Sequence, residues 1–291
     1  MRAAMQDGAA CGVRLGYAVE AEPLGTAGGV RNAVDPGEGL VLVLNGDVLT
    51  DADLGAMLAF HRARRAAVTI YLTRVPDPTP FGVVETEPDG RIRSFVEKPE
   101  PGRARADTIN AGAYLIARTL LSRIPTGRAV SIEREFFPAL VAEGVACYGW
   151  IAPAYWLDIG SPAKYRQAQL DLLAGRIRRP ALGAPDALVA ADVDLGAGAA
   201  MVPPVAIGPG SRLLEGARVG PGAVLGGRCV VGPGARVEGT VCWEDVELGP
   251  EATLADCVVG AGVRIGRGAA VGPGVVVPSG AAVPDGARLT A

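Results

Sequence analysis

The chain has 291 residues, 49% hydrophobic and 20% charged, with a net charge of −3, so it can bury a sizeable core and is not globally disordered. Lys and Arg form no basic run, which argues against a nucleic-acid partner held through its phosphates. No apolar stretch approaches the ~18 residues of a membrane span and the start MRAAMQDGAACG lacks a signal-peptide core, so a cytoplasmic protein of about two domains is expected.

In chain order, EPLGTAGG (22–29) reads as a glycine-containing loop able to turn backbone N–H groups toward a nucleotide. LVLVLNGDVL (40–49) has the unbroken aliphatic run of a strand buried on both faces. Residues 51–65 open on an Asp cap and end in basic residues, which predicts a helix. AAVTIYLTRV (66–75) predicts a strand, and FGVVETEPDGRIRSFVEKP (81–99) a hairpin turning at Pro88-Asp89-Gly90. AGAYLIAR (111–118) predicts a strand, and SIEREFFPALVAEG (131–144) a helix capped by Ser131. YGWIAPAYWLDIG (148–160) supplies further strand before a helix from about Pro162 to Gly175. Residues 1–175 thus predict an α/β domain with a mixed sheet, joined by a linker at 176–188 to a second domain at 189–291.

That second domain is a repeat, and it holds 21 of the 41 glycines. An aliphatic residue returns every sixth position from Leu195 through Met201, Ile207, Leu213, Val219, Leu225, Val231 and Val237, with Trp243 taking the next slot. After a slip near Leu248 and Leu254, the frame resumes at Val259, Ile265, Val271, Val277, Val283 and Leu289. A period of six fits neither a helix nor a flat sheet, but it suits short strands joined by tight glycine turns and stacked into a parallel β-helix. The slip at Trp243–Leu254 predicts a protruding loop or bulge. The text resembles the hexapeptide-repeat family, which implies a left-handed β-helix of five to six coils. Acyltransferases of that kind use a histidine, and His61 is the only one here, so the repeat reads as a scaffold or self-association surface rather than an acyl-transfer site.

The five cysteines are scattered without a CxxC pair, which indicates neither a disulfide framework nor a structural zinc site, and one histidine excludes a multi-histidine metal site. Chemistry is expected where strands end. Asp47, in LNGD, and Asp158, in WLDIG, both follow strands. Either alone reads equally well as a loop cap, whereas the pair points to a hard oxygen-liking ion such as Mg²⁺. Of 28 basic residues only Lys98 and Lys164 are lysines, so the lysine retained in Glu97-Lys98-Pro99 suggests a compact ammonium at a phosphate. Asn32, Asn45 and Asn110 are the only asparagines, two of them in the strand-end motifs LNGD and INAG.

Taken together and in order, EPLGTAGG, LNGDVLTDADL, FGVVETEPDGRIRSFVEKP, INAGAYLI, SIEREFFPAL and YWLDIGSPAKY, followed by hexapeptide repeats, resemble the nucleotide-sugar pyrophosphorylases. The resemblance implies a Rossmann-like nucleotidyltransferase domain followed by the left-handed β-helix. It also implies attack of a sugar-1-phosphate on the α-phosphorus of a nucleoside triphosphate, with mannose-1-phosphate and GTP the nearest pair and release of pyrophosphate. Gly25 and Thr26 would meet the base and ribose, and Gly46 would allow close approach at the strand end. Asp47 and Asp158 would hold Mg²⁺ across the phosphates. Gly82, Asn110 and Gly112 would face the sugar, Glu97 would accept from its hydroxyls, and Lys98 would neutralise its phosphate. The family's opening Gly-rich loop, with its Arg and its Pro-Lys-Pro lysine, has no match here. A chain short of a βαβ unit of ~30 residues is therefore expected, together with slow or absent turnover. Alternatives are a non-catalytic nucleotide-sugar-binding regulatory subunit, transfer of thymidylyl, uridylyl or adenylyl groups, and a hexapeptide acyltransferase. Apolar solenoid faces predict a homo-oligomer through 189–291.

Overall fold

The computed structural model describes residues 2–100, 102, 106–178 and 187–291. The chain forms two compact units, one of Met1–Val48 with Ala52–Trp156 and the other of Leu49–Asp51 with Leu157–Ala291. Residues 179–186 of the expected linker lie outside the described residues. Among those described, no helix is long and apolar enough to cross a membrane.

The elements up to the second unit are α1 (Arg2–Met5), α2 (Gly25–Ala33), β1 (Leu40–Leu44), β2 (Val48–Thr50), α3 (Leu54–Ala63), β3 (Val68–Arg74), β4 (Gly82–Thr86), β5 (Ile92–Glu97), β6 (Thr108–Ala117), α4 (Phe137–Ala142), β7 (Cys147–Ile151) and β8 (Trp156–Asp158). The first unit is built on a sheet ordered β5-β4-β6-β3-β7, with β1 also paired to β6. Only β3 and β7 run parallel; β1, β3 and β4 are antiparallel to β6. This is the mixed sheet expected from the alternating pattern. Asp53 caps α3 through a bond from Ala56 N–H at 3.0 Å, and Gly90, at φ 89°, turns the β4–β5 hairpin. Buried Ile70, Leu72, Tyr114, Ile116, Phe137 and Leu140 form the heart of the core, with the Tyr114 and Phe137 rings 5.1 Å apart. His61 is buried between α3 and the other face of β3, its Nδ1 2.8 Å from the Thr69 hydroxyl, and burial, followed by the neighbouring Arg62, lowers its pKa. Its place is structural.

Four local expectations need correction. β1 is not buried on both faces: Leu40, Leu42 and Leu44 are 37%, 43% and 54% exposed, while Val41 and Val43 pack on the core. The aliphatic run hid an alternation, because the core packs against only the face that carries Val41 and Val43. Residues 22–29 are not a free loop, since α2 begins at Gly25 and the N–H groups of Ala27 and Gly28 are taken by the Val130 carbonyl, at 3.0 and 3.3 Å. Residues 148–160 form two short strands, β7 and β8, separated at Ala152–Tyr155 around Pro153, which cannot donate to a ladder. Residues 131–144 begin as a π-helical turn, Ile132–Phe136, capped by Ser131 Oγ, before α4 takes over.

The second unit contains α5 (Pro162–Leu173), capped by Ser161 and opening on Pro162, and then the repeat. Short strands from Ala187–Val189 to Arg288–Leu289 stack into three six-stranded parallel sheets, a β-solenoid of about six turns. The expected aliphatics from Ile207 to Val283 lie inside it, with a second inward and mostly small residue two positions earlier, as at Ala217, Ala235, Ala252 and Ala269. Trp243 does not occupy a slot. It is 45% exposed, and Cys242, 2% exposed, fills the place instead.

No loop protrudes at the slip. The core spacing shortens by one residue twice, from Val237 to Cys242 and from Leu254 to Val259, so Val224 pairs with Val241 and Val241 with Val258, 17 residues on instead of 18. Both shortenings fall at the same corner of the solenoid, and α5 docks there: Arg166 donates to the Gly239 carbonyl at 2.8 Å and to Asp256 Oδ1 at 2.7 Å. The column places one inward aliphatic on each strand, so a charge within it has no partner. Val271→Asp, at a position 2% exposed, should cost about 3–5 kcal/mol and melt the repeats, seen as loss of strand signal in circular dichroism together with tryptic cleavage after Arg264 and Arg267.

Candidate functional site

The site in the first unit is organised by a bulge in β6. Between Ile70 paired with Tyr114 and Leu72 paired with Asn110, β3 spends one residue where β6 spends three. Gly112 sits in that bulge at φ 78°, where a Cβ would also meet Asn45 at 3.0 Å. Bulges re-aim side chains. Here the Asn110 amide turns back to donate to the Tyr114 hydroxyl at 2.8 Å, while its oxygen accepts from Gly112 N–H at 3.1 Å. Asn45, one residue past β1, donates its N–H to the Gly112 carbonyl at 2.8 Å, and the Ala111 carbonyl accepts from the Trp156 indole at 3.0 Å.

Around buried Tyr114 stand two carboxylates. Burial, followed by Glu133, pushes its phenol well above the ordinary range, against hydrogen bonds from Asn110 and Asn45. Glu97 ends β5 directly across from Gly82, whose missing side chain leaves room for it, since a Cβ there would lie 2.8 Å from Glu97 Oε2. Burial, then Glu133, raises the Glu97 pKa, opposed by Lys98 and Arg134. Lys98 follows at φ 48°, an uncommon left-handed backbone for a residue with a side chain, and its ammonium stem is exposed. Thr26 joins the helix α2 end of the site to the same place: its hydroxyl donates to Glu133 Oε2 at 3.0 Å and accepts from Ile132 N–H at 2.8 Å. Gly25 precedes it at φ 69° and lies so close to Val130 that a Cβ would be 2.7 Å from that carbonyl.

The structure thus hydrogen-bonds Asn110 to Tyr114 and to Gly112, sets Gly82 against Glu97, and joins Thr26 to Glu133, with Glu133 and Glu97 both acting on the Tyr114 phenol. Tyr114, Glu133 and Arg134 were absent from the sequence reading. Glu133 and Thr26 are 107 residues apart, so no local pattern links them; the acidic first turn after the Ser131 cap was the available signal.

Gly46 and Asp47 lie in an exposed turn after β1 in the first unit, and Asp158 belongs to the second. Asp158 Oδ1 accepts from Gly160 N–H at 3.0 Å, and Oδ2 from Lys164 Nζ at 3.0 Å. Among the described residues no cluster of three or more His, Cys, Asp or Glu could form a metal cage. Carboxylate oxygens are hard donors, of which Mg²⁺ takes one or two and completes its shell with water and substrate phosphates.

The chain thus carries a mixed α/β sheet followed in sequence by a parallel β-solenoid. Residues 1–175 match the family described as Nucleotidyl transferase, and residues 201–291 match the GMPPB C-terminal domain. The chain belongs to the nucleotidyl transferase family. It is 45% identical over 178 residues to the mannose-1-phosphate guanylyltransferase of Mycobacterium tuberculosis, covering 60% of this chain and 49% of that protein. It is 40% identical over 162 residues to the probable mannose-1-phosphate guanylyltransferase 3 of Arabidopsis thaliana, covering 54% and 48%. Similarity to the mannose-1-phosphate guanylyltransferase catalytic subunit beta of Danio rerio is 39% over 158 residues, 53% and 43% of the two chains. The chain spans about half the length of the curated relatives it matches.

The raised Glu97 pKa has a stability consequence. The fold favours the protonated acid, so its contribution is fully present below the unfolded value of about 4.3 and is lost as pH rises through the folded one. Glu97→Gln, which cannot ionise, should therefore melt roughly 1–2 °C above the wild type at pH 7 and close to it at pH 4, measured by calorimetry.

Proposed function

We propose that this chain carries the site for guanylyl transfer to mannose-1-phosphate, forming GDP-mannose and pyrophosphate. The observation that carries the reading is Glu97 held across from Gly82 with Lys98 next in sequence: a carboxylate for sugar hydroxyls beside an ammonium for the sugar's phosphate. Asn110 and Gly112, fixed by the β6 bulge, offer further polar contacts to the sugar. Gly25 and Thr26 face the nucleotide, and Gly46 lets its phosphates approach the backbone. Asp47 and Asp158 are each offered as a carboxylate ligand for Mg²⁺, which would supply charge neutralisation at the phosphates. An oxygen of the sugar phosphate attacks the α-phosphorus, the bond to the β-phosphate's bridging oxygen breaks, and pyrophosphate leaves. Positioning and charge account for the rate, without a covalent protein intermediate. The domain reading that accompanies this is catalytic residues 1–175, a linker at 176–188 and a solenoid at 189–291.

The test is pyrophosphate release with GTP, mannose-1-phosphate and Mg²⁺, run against ATP, UTP and dTTP. Asp47→Asn and Asp158→Asn should each lower the rate at least ~100-fold, since each removes an ionic oxygen from a hard cation. Binding of GDP-mannose without any pyrophosphate release would overturn transfer in favour of a binding module. Near-full activity of either variant would remove that aspartate from the metal site.

The solenoid is the proposed self-association surface. Leu195, Trp243 and Val276, each 45–49% exposed, support this. Light scattering at micromolar concentration should give a homo-oligomer that Trp243→Arg reduces; a monomeric wild type would refute it.

A further inference from the structure

Two lysines remain among 28 basic residues, and the transfer site uses only Lys98. Lys164 lies in the first turn of α5 with its Nζ 3.0 Å from Asp158 Oδ2. The two side chains are 43% and 30% exposed, so the pair is neither locked in the core nor fully solvated.

The two oxygens of Asp158 are held differently. Oδ1 is bound by the backbone N–H of Gly160, two residues on, and that donor moves only if the turn itself moves. Oδ2 is bound by the tip of a flexible side chain with four rotatable carbons. The α5 cap does not depend on that tip, because Lys164 meets Ser161 Oγ through its backbone N–H, at 3.3 Å. Arginine, which this sequence uses almost everywhere else, would grip a carboxylate with a planar two-pronged fork; lysine makes a single point contact that exchanges more easily.

We propose that Lys164 is an exchangeable counter-cation of Asp158. Its ammonium neutralises the carboxylate while no divalent ion is bound, competes with such an ion for Oδ2, and on displacement is freed for an anionic phosphate. This rests on the reading of Asp158 as a metal ligand. Without metal, Lys164 prevents Asp158 from standing as an uncompensated half-buried charge. With metal, the displaced ammonium remains a side chain's reach from the carboxylate.

The test is Mn²⁺ binding to the substrate-free full chain, followed by electron paramagnetic resonance of free Mn²⁺, for wild type, Lys164→Met, Lys164→Arg and Asp158→Asn. Thermal unfolding of each variant checks that α5 remains formed. Lys164→Met should bind Mn²⁺ roughly two- to fivefold more tightly, the range set by a partly exposed ion pair. Lys164→Arg, which keeps the competing cation, should show no such gain, and Asp158→Asn should lose the site. If wild type binds Mn²⁺ through Asp158 and Lys164→Met binds equally or more weakly, Lys164 does not compete and the proposal fails while the metal reading stands. If neither wild type nor Lys164→Met binds Mn²⁺ in a way that Asp158→Asn abolishes, the metal reading fails and takes this proposal with it.

Discussion

The bulge at Ala111–Ala113 is the constraint on which the first unit's site depends. A regular β6 would send Asn110 and Tyr114 to the same face, four residues apart along an extended strand and too far to touch. The extra residues shorten that path, so the Asn110 amide reaches the Tyr114 hydroxyl. The backbone groups displaced by the bulge remain satisfied: the Gly112 carbonyl takes Asn45 N–H and the Ala111 carbonyl takes the Trp156 indole. One departure from regular pairing therefore ties the end of β1, the middle of β6 and the approach to β8 together. It is also why glycine stands at 112: the conformation is left-handed and Asn45 lies against it.

Charge then does what geometry alone does not. After burial, Glu133 and Glu97 both raise the pKa of the Tyr114 phenol, and Glu133 raises that of Glu97, where Lys98 and Arg134 oppose it. The two carboxylates leave an excess of acceptor character around Tyr114. Lys98 follows Glu97 with a left-handed backbone, φ 48°.

What could be read from the chain depended on whether the signal was local. The six-residue period was legible because each coil repeats the same inward demand, and LNGD was legible as a strand end because it is contiguous, whereas INAG lies inside β6 at its bulge and not at a strand end. Trp243 was misassigned because a strict count of six ignores size: a corner shortened by one residue admits Cys242 and turns the indole outward. The burial of β1 was misread for a different reason. Leu40, Leu42 and Leu44 are as apolar as Val41 and Val43, and only what packs against each face decides which set is covered. Glu133 escaped notice because its importance comes from Thr26, more than a hundred residues away in sequence.

The shortened corner shows how the second unit couples its helix to its coils. At that corner the turn residue is glycine in three of four successive coils, Gly222, Gly239 and Gly274, and the coil between the last two carries Asp256 instead, at φ 50°. A side chain in that conformation costs about 1 kcal/mol, so glycine is the cheaper choice unless the side chain gains a contact. Asp256 gains Arg166, whose guanidinium also binds the Gly239 carbonyl one coil away and is only 24% exposed. A charge-assisted bond of this kind contributes about 1.5–3 kcal/mol when its donor is partly desolvated, enough to exceed the strain. The same helix carries Lys164 two residues earlier on Asp158. Helix α5 is therefore fastened at one point to the solenoid and at another to the candidate metal carboxylate, so the position of Asp158 is set in part by the coils that follow it in sequence.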